Sequence, residues 1–351
     1  MNKTTTTLPV NTDYLMAFLV DLLNTPSPTG FAQPAIDLVA LAMRELGLDP
    51  QQTRKGSLVA ELPGLAADAP RGLTAHVDTL GAMVKEIKEN GRLRLTKLGG
   101  YAWNAAEGEG CTIFTQDGQQ IRGSILIDLA STHVHGAKMS AQERDDEHME
   151  VRLDLRSSSF AETKTAGIEV GDFVAFDPRV EVGPAGFIRS RHLDDKACVA
   201  CMLAAVKAIQ SAGVTPTQRT TLHISNYEEV GHGAAGFPAD LAELLTLDMA
   251  AMGMGQTSDE FHVTICVKDS AGPYHHGLSQ HLRQLAEDHA IPTVIDIYPF
   301  YSSDGQALWR SGADARVALI GPGVDASHSY ERTHMDALVA TTRLIIAYLL
   351  N

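Results

Sequence analysis

The sequence is organised around one stretch that runs Thr220-Thr221-Leu222-His223-Ile224-Ser225-Asn226-Tyr227-Glu228-Glu229-Val230-Gly231-His232-Gly233. Its first six residues predict a buried strand, and the glycines that follow allow a sharp turn. Two carboxylates therefore lie at the carboxyl end of a strand, the edge where ligands bind in open α/β sheets. A solvated acidic turn is the simpler interpretation of the pair taken alone. If the pair is extended, Glu228 and Glu229 point to opposite faces, which predicts one binding role and one role in proton transfer.

The composition is that of an acidic globular protein. The chain has 351 residues, 44% of them hydrophobic, and a net charge of −15. This charge argues against nucleic acid or an anionic membrane as a partner, since like charges repel. Four cysteines are too few for a disulfide scaffold, and we interpret Cys198 and Cys201 as core residues of an apolar helix. Because no signal peptide or membrane-spanning run is evident, we expect a cytoplasmic protein.

Helix and strand patterns alternate in two separate parts of the chain, residues 1–82 and 187–351. This predicts one α/β catalytic domain with a doubly wound mixed sheet. Residues 83–186 contain short apolar runs separated by Gly, Asn and Asp, which predicts an inserted, small all-β, barrel-like domain. In this domain His133 and His135 are expected on one face of a strand, as surface histidines. Residues 137–148 are expected to form a polar surface segment.

Further acids and imidazoles follow apolar runs elsewhere in the chain. His76 and Asp78 would share one strand face, so the carboxylate can orient an imidazole that binds a metal. Taken alone, a satisfied core pair or a turn residue is the simpler interpretation of this spacing. Asp194 precedes a helix, where N-capping competes with metal binding. Asp248 interrupts the apolar residues around a strand predicted at Leu247–Met252, where a carboxylate is costly unless it is paired or metal-bound, or unless it lies just beyond the strand in water. His328 is either a surface loop histidine or a ligand.

Together these motifs supply imidazoles and carboxylates in one domain. Two divalent ions about 3.5–4 Å apart need such a set, with one carboxylate that bridges both ions and one imidazole on each. Mixed nitrogen and oxygen ligands suit Zn²⁺, with Co²⁺ or Mn²⁺ as alternatives.

The ordered motifs resemble the M42 family of metallo-aminopeptidases, which includes glutamyl aminopeptidases and the TET aminopeptidases with tetrahedral assemblies. The matching segments are Ala75-His76-Val77-Asp78, Leu193-Asp194-Asp195-Lys196, Glu228-Glu229-Val230-Gly231, Leu247-Asp248, His328-Ser329 and, in the inserted domain, Leu98-Gly99-Gly100 and Val170-Gly171-Asp172. The resemblance covers nearly the whole chain. Two departures are Thr79-Leu80, where many members have Glu-Ile, and Lys196, where Arg is frequent.

The resemblance implies a role for each site residue. His76 and Asp248 would hold one metal ion, Glu229 and His328 the other, and Asp194 would bridge the two ions. Glu228 would be the general base acting on a water shared by the ions, and Asp78 would orient His76. These roles imply two divalent ions in each subunit.

The function implied is a two-metal aminopeptidase that hydrolyses the N-terminal peptide bond of short peptides. An amidase or deacylase that acts on a small amide or a modified dipeptide is the alternative, and a requirement for a free α-amino group would separate the two. A glycosidase, which needs two facing carboxyls, and an inactive binding protein are further alternatives. The resemblance also implies a homo-oligomer, from dimer to dodecamer, with the inserted domain as lid or assembly element.

Overall fold

The helices and strands are described from a computed structural model, which covers residues 8–237 and 240–351. The helices are α1 (Thr12–Asn24), α2 (Gln33–Glu45), α3 (Thr132–His135), α4 (Ala137–Ala141), α5 (Phe160–Thr165), α6 (Leu193–Ser211), α7 (His276–Asp288), α8 (Asp304–Arg310) and α9 (Met335–Leu350). Short 3₁₀ turns cover Trp103–Ala105 and Glu228–Val230. In the described ranges, no helix combines the length and the apolar character that a membrane crossing requires.

The strands form a large mixed sheet, a closed barrel and a small three-stranded sheet. They are β1 (Gln51–Gln52), β2 (Leu58–Leu62), β3 (Ala66–His76), β4 (Gly81–Ile87), β5 (Leu93–Leu98), β6 (Gly110–Phe114), β7 (Gln120–Ile127), β8 (Met149–Leu153), β9 (Phe173–Phe176), β10 (Glu181–Val182), β11 (Phe187–Ser190), β12 (Gln218–Ser225), β13 (Glu243–Leu247), β14 (Ala250–Ala251), β15 (Val263–Asp269), β16 (Gly272–Pro273), β17 (Thr293–Ile297), β18 (Arg316–Val324) and β19 (Glu331–His334).

The centre of the large sheet consists of the parallel strands β12, β3, β13 and β18, in this order. Most of their side chains are buried, and those of β3 are buried from Arg71 onward, as expected for strands covered by helices on both faces. Helix α6 packs against β3, α1 and α9, and its small residues are buried all around, Cys198 and Cys201 included. This dense layer holds the ends of the four strands in a fixed relative position.

Strands β4, β5, β8, β7, β6 and β9 close into an antiparallel barrel with an apolar core of its own. The α/β class with an inserted barrel is therefore confirmed. The barrel follows β3 after only four residues, so its first strand begins beside the carboxyl edge of the large sheet. The strand predicted for His133 and His135 is wrong, because both histidines lie on the short exposed helix α3.

The prediction of one strand at Leu247–Met252 is also wrong, because two separate strands lie in residues 243–252. Strand β13 ends at Leu247, and the two-residue strand β14 pairs separately with β18. Asp248 lies between them, and its backbone N–H donates to the Ile320 carbonyl at 3.1 Å. The interruption leaves the Asp248 side chain at the sheet edge.

Candidate metal centre

The four parallel strands end at one edge of the sheet, and the predicted site residues lie there. His76 is the last residue of β3 and is paired in register with Ser225 of β12. Asp248 directly follows β13, and His328 lies in the loop after β18. Because parallel strands have their carboxyl ends on the same side, residues far apart in sequence meet at this edge.

Asp194 lies between the two histidines. Its Oδ1 is 3.0 Å from Nε2 of His76, and its Oδ2 is 3.3 Å from Nε2 of His328. Nε2 of His328 is also 3.7 Å from a carboxylate oxygen of Glu229. One carboxylate with an imidazole on each oxygen is the arrangement that a shared ligand of two cations requires.

Two overlapping groups of side chains have their ligand atoms within 4.8 Å of one another. One contains His76, Asp195 and Asp248, and the other contains His76, Asp194 and Glu229. Oδ1 of Asp248 and Oδ1 of Asp195 are buried without a hydrogen-bond partner. Unpaired buried carboxylate oxygens are costly, so this donor set fits divalent cations.

The pKa values of these groups reflect burial and mutual repulsion. Burial and the negative charge of Asp194 raise the pKa of Glu229 to about 8. Burial and the neighbouring Asp195 likewise raise the pKa of Asp248 well above its usual range. Burial acts to lower the pKa of His328, but its contacts with Asp194 and Glu229 raise it to about 10. Cations would relieve the repulsion among these acids, which is the electrostatic requirement of a metal site.

Glu228 and Glu229 lie in a turn and not in an extended strand. Tyr227 has a left-handed conformation (φ 70°), and the 3₁₀ turn follows directly. Both glutamates consequently line the same cavity, so the expectation of opposite faces is wrong. Glu228 reaches to 3.7 Å from Nε2 of His76, whereas Glu229 contacts His328.

Asp78 supports this turn more directly than it supports His76. Its carboxylate accepts hydrogen bonds from the backbone N–H groups of Glu228 (3.2 Å) and Glu229 (3.4 Å) and from the Thr29 hydroxyl (2.7 Å). Nδ1 of His76 pairs with the backbone carbonyl of Asp78 at 2.9 Å, while the Asp78 carboxylate is 3.8 Å away. In the segment His76-Val77-Asp78, the backbone carbonyl of Asp78 thus orients the imidazole, and the carboxylate does not.

The backbone conformation around Asp194 and the contacts of its side chain distinguish helix capping from a place among the candidate ligands. Asp194 (φ −74°, ψ 105°) and Asp195 (φ −120°, ψ 26°) have non-helical conformations, so the regular part of α6 begins after them. The Asp194 side chain faces the imidazoles and does not cap the helix. The capping interpretation is therefore wrong.

Glu331 is a residue of this site that sequence reasoning missed. Its carboxylate is buried and accepts the backbone N–H of Asp194 at 3.1 Å and that of His328 at 3.0 Å. Burial and the charge of Asp194 raise the pKa of Glu331 to about 8, against the effect of these hydrogen bonds. Its only signal in the sequence is its position three residues after His328.

A second missed group supports the loop after Glu229. Nζ of Lys55 donates to the carbonyls of His232 (2.6 Å) and Ala235 (2.8 Å). Oδ1 of Asp304 accepts the backbone N–H of Ala234 at 2.7 Å. Ser303 caps helix α8, and the next residue, Asp304, is buried.

A cavity of about 730 Å³ opens above the site. Its lining combines the candidate ligands with apolar residues and one arginine: Asp194, Glu228, Glu229, Gly231, Asp248, Met249, Ala251, Met252, Met254, Gln256, Tyr298, Pro299, Phe300, Tyr301, Ser302, Ser303, Arg310, Ala326, Ser327 and His328. This volume is in the range of small-molecule and peptide sites.

Residues 56–344 match the family model described as M42 glutamyl aminopeptidase. The chain belongs to the M42 family of aminopeptidases. A relative named "Putative aminopeptidase YhfE", from Bacillus subtilis (strain 168), is 47% identical over 334 residues, which cover 95% of this chain and 96% of the relative. This M42 protein is thus a hydrolase of a family that implies divalent metals, and its candidate ligands lie at the sheet edge.

Solved structures of low sequence identity share the M42 fold. A TET aminopeptidase from a marine sediment Thaumarchaeota archaeon is 18% identical, with a TM-score of 0.88 and 97% of both chains covered. The TET1 peptidase of Pyrococcus horikoshii, which can assemble into a tetrahedron or a large octahedral shell, is 20% identical. Its TM-score is 0.84, with 96% of this chain and 99% of that chain covered.

Proposed function

We propose that this M42 protein is a two-metal aminopeptidase that removes the N-terminal residue of short peptides. The observation that supports this most strongly is the Asp194 carboxylate, which has one oxygen near His76 and the other near His328. In this proposal His76 and Asp248 hold one ion, Glu229 and His328 hold the second, and Asp194 is shared. Zn²⁺ is the metal proposed, with Co²⁺ or Mn²⁺ as alternatives.

When bound, the two ions acidify water and polarise the scissile carbonyl. Glu228 is the proposed proton carrier, since it lines the cavity beside the ligands and has a pKa well above its usual range because of burial. Its carboxylate takes the proton of the attacking water and then gives it to the leaving amine. Asp78 holds the turn that carries Glu228 through the two backbone N–H groups.

The proposal includes the organisation of the chain and its partners. Residues 1–82 and 187–351 would form the catalytic domain, and residues 83–186 an inserted lid or assembly domain. We propose a homo-oligomer, because the structurally similar TET1 peptidase forms large assemblies. The net charge of −15 argues against nucleic acid or an anionic membrane as a partner.

The test is the substitution Glu228→Gln in the metal-loaded protein. We expect kcat for a free dipeptide to fall by about 10²–10⁴, the usual contribution of a general base, with two bound ions retained. The wild type should cleave free dipeptides and leave N-acetylated ones intact. A chelator should abolish turnover, and Zn²⁺ or Co²⁺ should restore it. Equal cleavage of free and acetylated substrates would indicate an amidase instead.

The matched control is Glu243→Gln. Glu243 is also buried, but it lies at the opposite end of β13, where it accepts from Tyr348 at 2.9 Å and pairs with Arg316 at 2.8 Å. This variant should keep its turnover number. Full activity of Glu228→Gln would show that the base assignment is wrong.

A further inference from the structure

Two large apolar side chains are fully exposed beside the candidate metal centre. Met254 and Phe300 have relative solvent exposures of 105% and 99%, respectively, and both line the cavity that contains Glu228 and Asp248. Single exposed apolar residues are common on surfaces, but two at the cavity of a candidate active site mark a place where an apolar ligand group would be covered.

The loops that carry these two side chains are fixed at their bases. Asp296 at the end of β17 accepts from the backbone N–H groups of Thr257 and Ser258, each at 2.9 Å, and from the side-chain amide of Gln256 at 3.1 Å. The Ser258 hydroxyl lies 2.6 Å from that of Tyr298. The loop after β14 is thereby joined to the loop after β17. The bases of the two loops are therefore held side by side, next to the apolar wall that begins with Met254 and Phe300.

More apolar groups continue this wall toward the metal centre. Met249 and Tyr298 are buried, and the Tyr301 hydroxyl donates to the Met249 carbonyl at 3.1 Å. Met252 completes the set of thioethers that face the cavity. Thioethers adapt to apolar side chains of different shapes, because methionine is unbranched and flexible.

Charged side chains elsewhere in the cavity do not offer a second electrostatic site. Among the described lining residues, the acids Asp194, Glu228, Glu229 and Asp248 all belong to the candidate metal centre. The one lysine or arginine in this described lining is Arg310, which is exposed and hydrogen-bonded to Ser302 at 3.0 Å. A basic substrate side chain would thus find no carboxylate outside the metal centre among these lining residues. An acidic substrate side chain would find one cationic partner, the solvated Arg310.

We propose that the cavity selects peptides whose N-terminal residue has a large, uncharged, apolar side chain, such as leucine, methionine or phenylalanine. This inference rests on the proposed aminopeptidase function. The α-amino group and the scissile bond lie at the metal centre, and the first side chain packs against the wall that ends in Met254 and Phe300. Burial of that side chain supplies the binding energy.

The experiment compares kcat/KM of the Zn²⁺-loaded protein for five dipeptides with a common second residue, X-Ala, in which X is Leu, Met, Phe, Glu or Lys. We expect the apolar substrates to exceed Glu-Ala and Lys-Ala by about tenfold or more. The double variant Met254→Ser, Phe300→Ser should lower kcat/KM for Leu-Ala by about tenfold and leave Glu-Ala nearly unchanged. Both side chains are exposed, so the variant should fold normally.

Phe160→Ser is the matched control, because Phe160 is 51% exposed on α5 of the barrel and does not line the cavity. Its Leu-to-Glu ratio should equal that of the wild type. A preference for Glu-Ala that disappears in Arg310→Gln would overturn the inference in favour of recognition by charge. A preference for Lys-Ala, or an equal loss for all five substrates in the double variant, would also overturn it.

The same data separate this inference from the function on which it rests. If no dipeptide is cleaved, or if Glu228→Gln is fully active, the proposed function fails. If dipeptides are cleaved in a Glu228-dependent reaction but without apolar preference, only the inference about the wall fails.

Discussion

Replacement of Glu331 by glutamine should weaken the metal centre without touching a metal ligand. The Glu331 carboxylate has one oxygen for the N–H of Asp194 and one for the N–H of His328. Glutamine offers one carbonyl oxygen, and its amide group faces the second N–H as another donor. Glu331→Gln therefore loses one hydrogen bond and leaves a buried donor unsatisfied, while the side-chain volume stays the same.

The magnitude follows from the burial of this contact. A buried, unsatisfied N–H costs about 1–3 kcal/mol in the free energy of unfolding. Because both affected N–H groups belong to candidate ligands, we expect metal affinity to fall by about 10- to 100-fold, as for other groups that orient ligands. Asp194 and His328 would still be present, so saturating metal should restore most of kcat.

The assay is calorimetric titration of the metal-free protein with Zn²⁺, together with urea unfolding. Glu243→Gln is the control, because it also removes a buried carboxylate but far from the ligands. It should lose stability and keep wild-type metal affinity. Unchanged Zn²⁺ affinity in Glu331→Gln would refute the positioning role.

Three further predictions concern the same sheet edge. Burial lowers the pKa of His223 to about 4 in the folded protein. Between about pH 4 and 6.5 the unfolded chain therefore binds a proton at His223 that the folded chain does not, and the free energy of unfolding decreases as the pH is lowered through this range. When the pH is lowered from about 7.5 to 4.5, the unfolding free energy of His223→Gln should decrease by about 2.5 kcal/mol less than that of the wild type. The control His281→Gln, at an exposed histidine, should decrease as much as the wild type. Equal decreases in the wild type and both variants would contradict the prediction. Asp78→Asn should lower kcat by about tenfold or more in steady-state assays, with a smaller change in KM, since the turn of Glu228 loses an acceptor; unchanged kcat would exclude this support. A chelator should lower the free energy of unfolding by about 3 kcal/mol relative to protein saturated with Zn²⁺, and identical melting curves would argue against the metal centre.

Local sequence patterns were sufficient for much of the secondary structure. The strands Leu58–Leu62 and Leu93–Leu98 and the helix Met335–Leu350 can be recognised from the sequence, because each is a continuous or periodic apolar run with a polar or glycine boundary. The change from alternating helices and strands to short strands also revealed the inserted barrel. Periodicity reports on burial, and burial dominates in these elements.

The same reasoning failed where tertiary contacts overrode local preference. Asp194 has the position of a capping residue, yet its side chain faces two imidazoles. Glu228 and Glu229 were expected to diverge, but a left-handed Tyr227 turns both toward one cavity. His133 and His135 alternate like strand residues in a segment that is helical and exposed. In each case a short motif was compatible with two backbones, and the surrounding structure selected one.

The sequence by itself determined which chemical groups are present and that each lies at the end of a predicted strand or in a loop. The tertiary structure alone decided which groups meet, such as His76 with Asp194, 118 residues apart, and Asp194 with Glu331, 137 residues apart. Strand and helix periods relate residues only a few positions apart. Contacts over such separations depend on the order and register of β12, β3, β13 and β18 and on the packing of α6 against them.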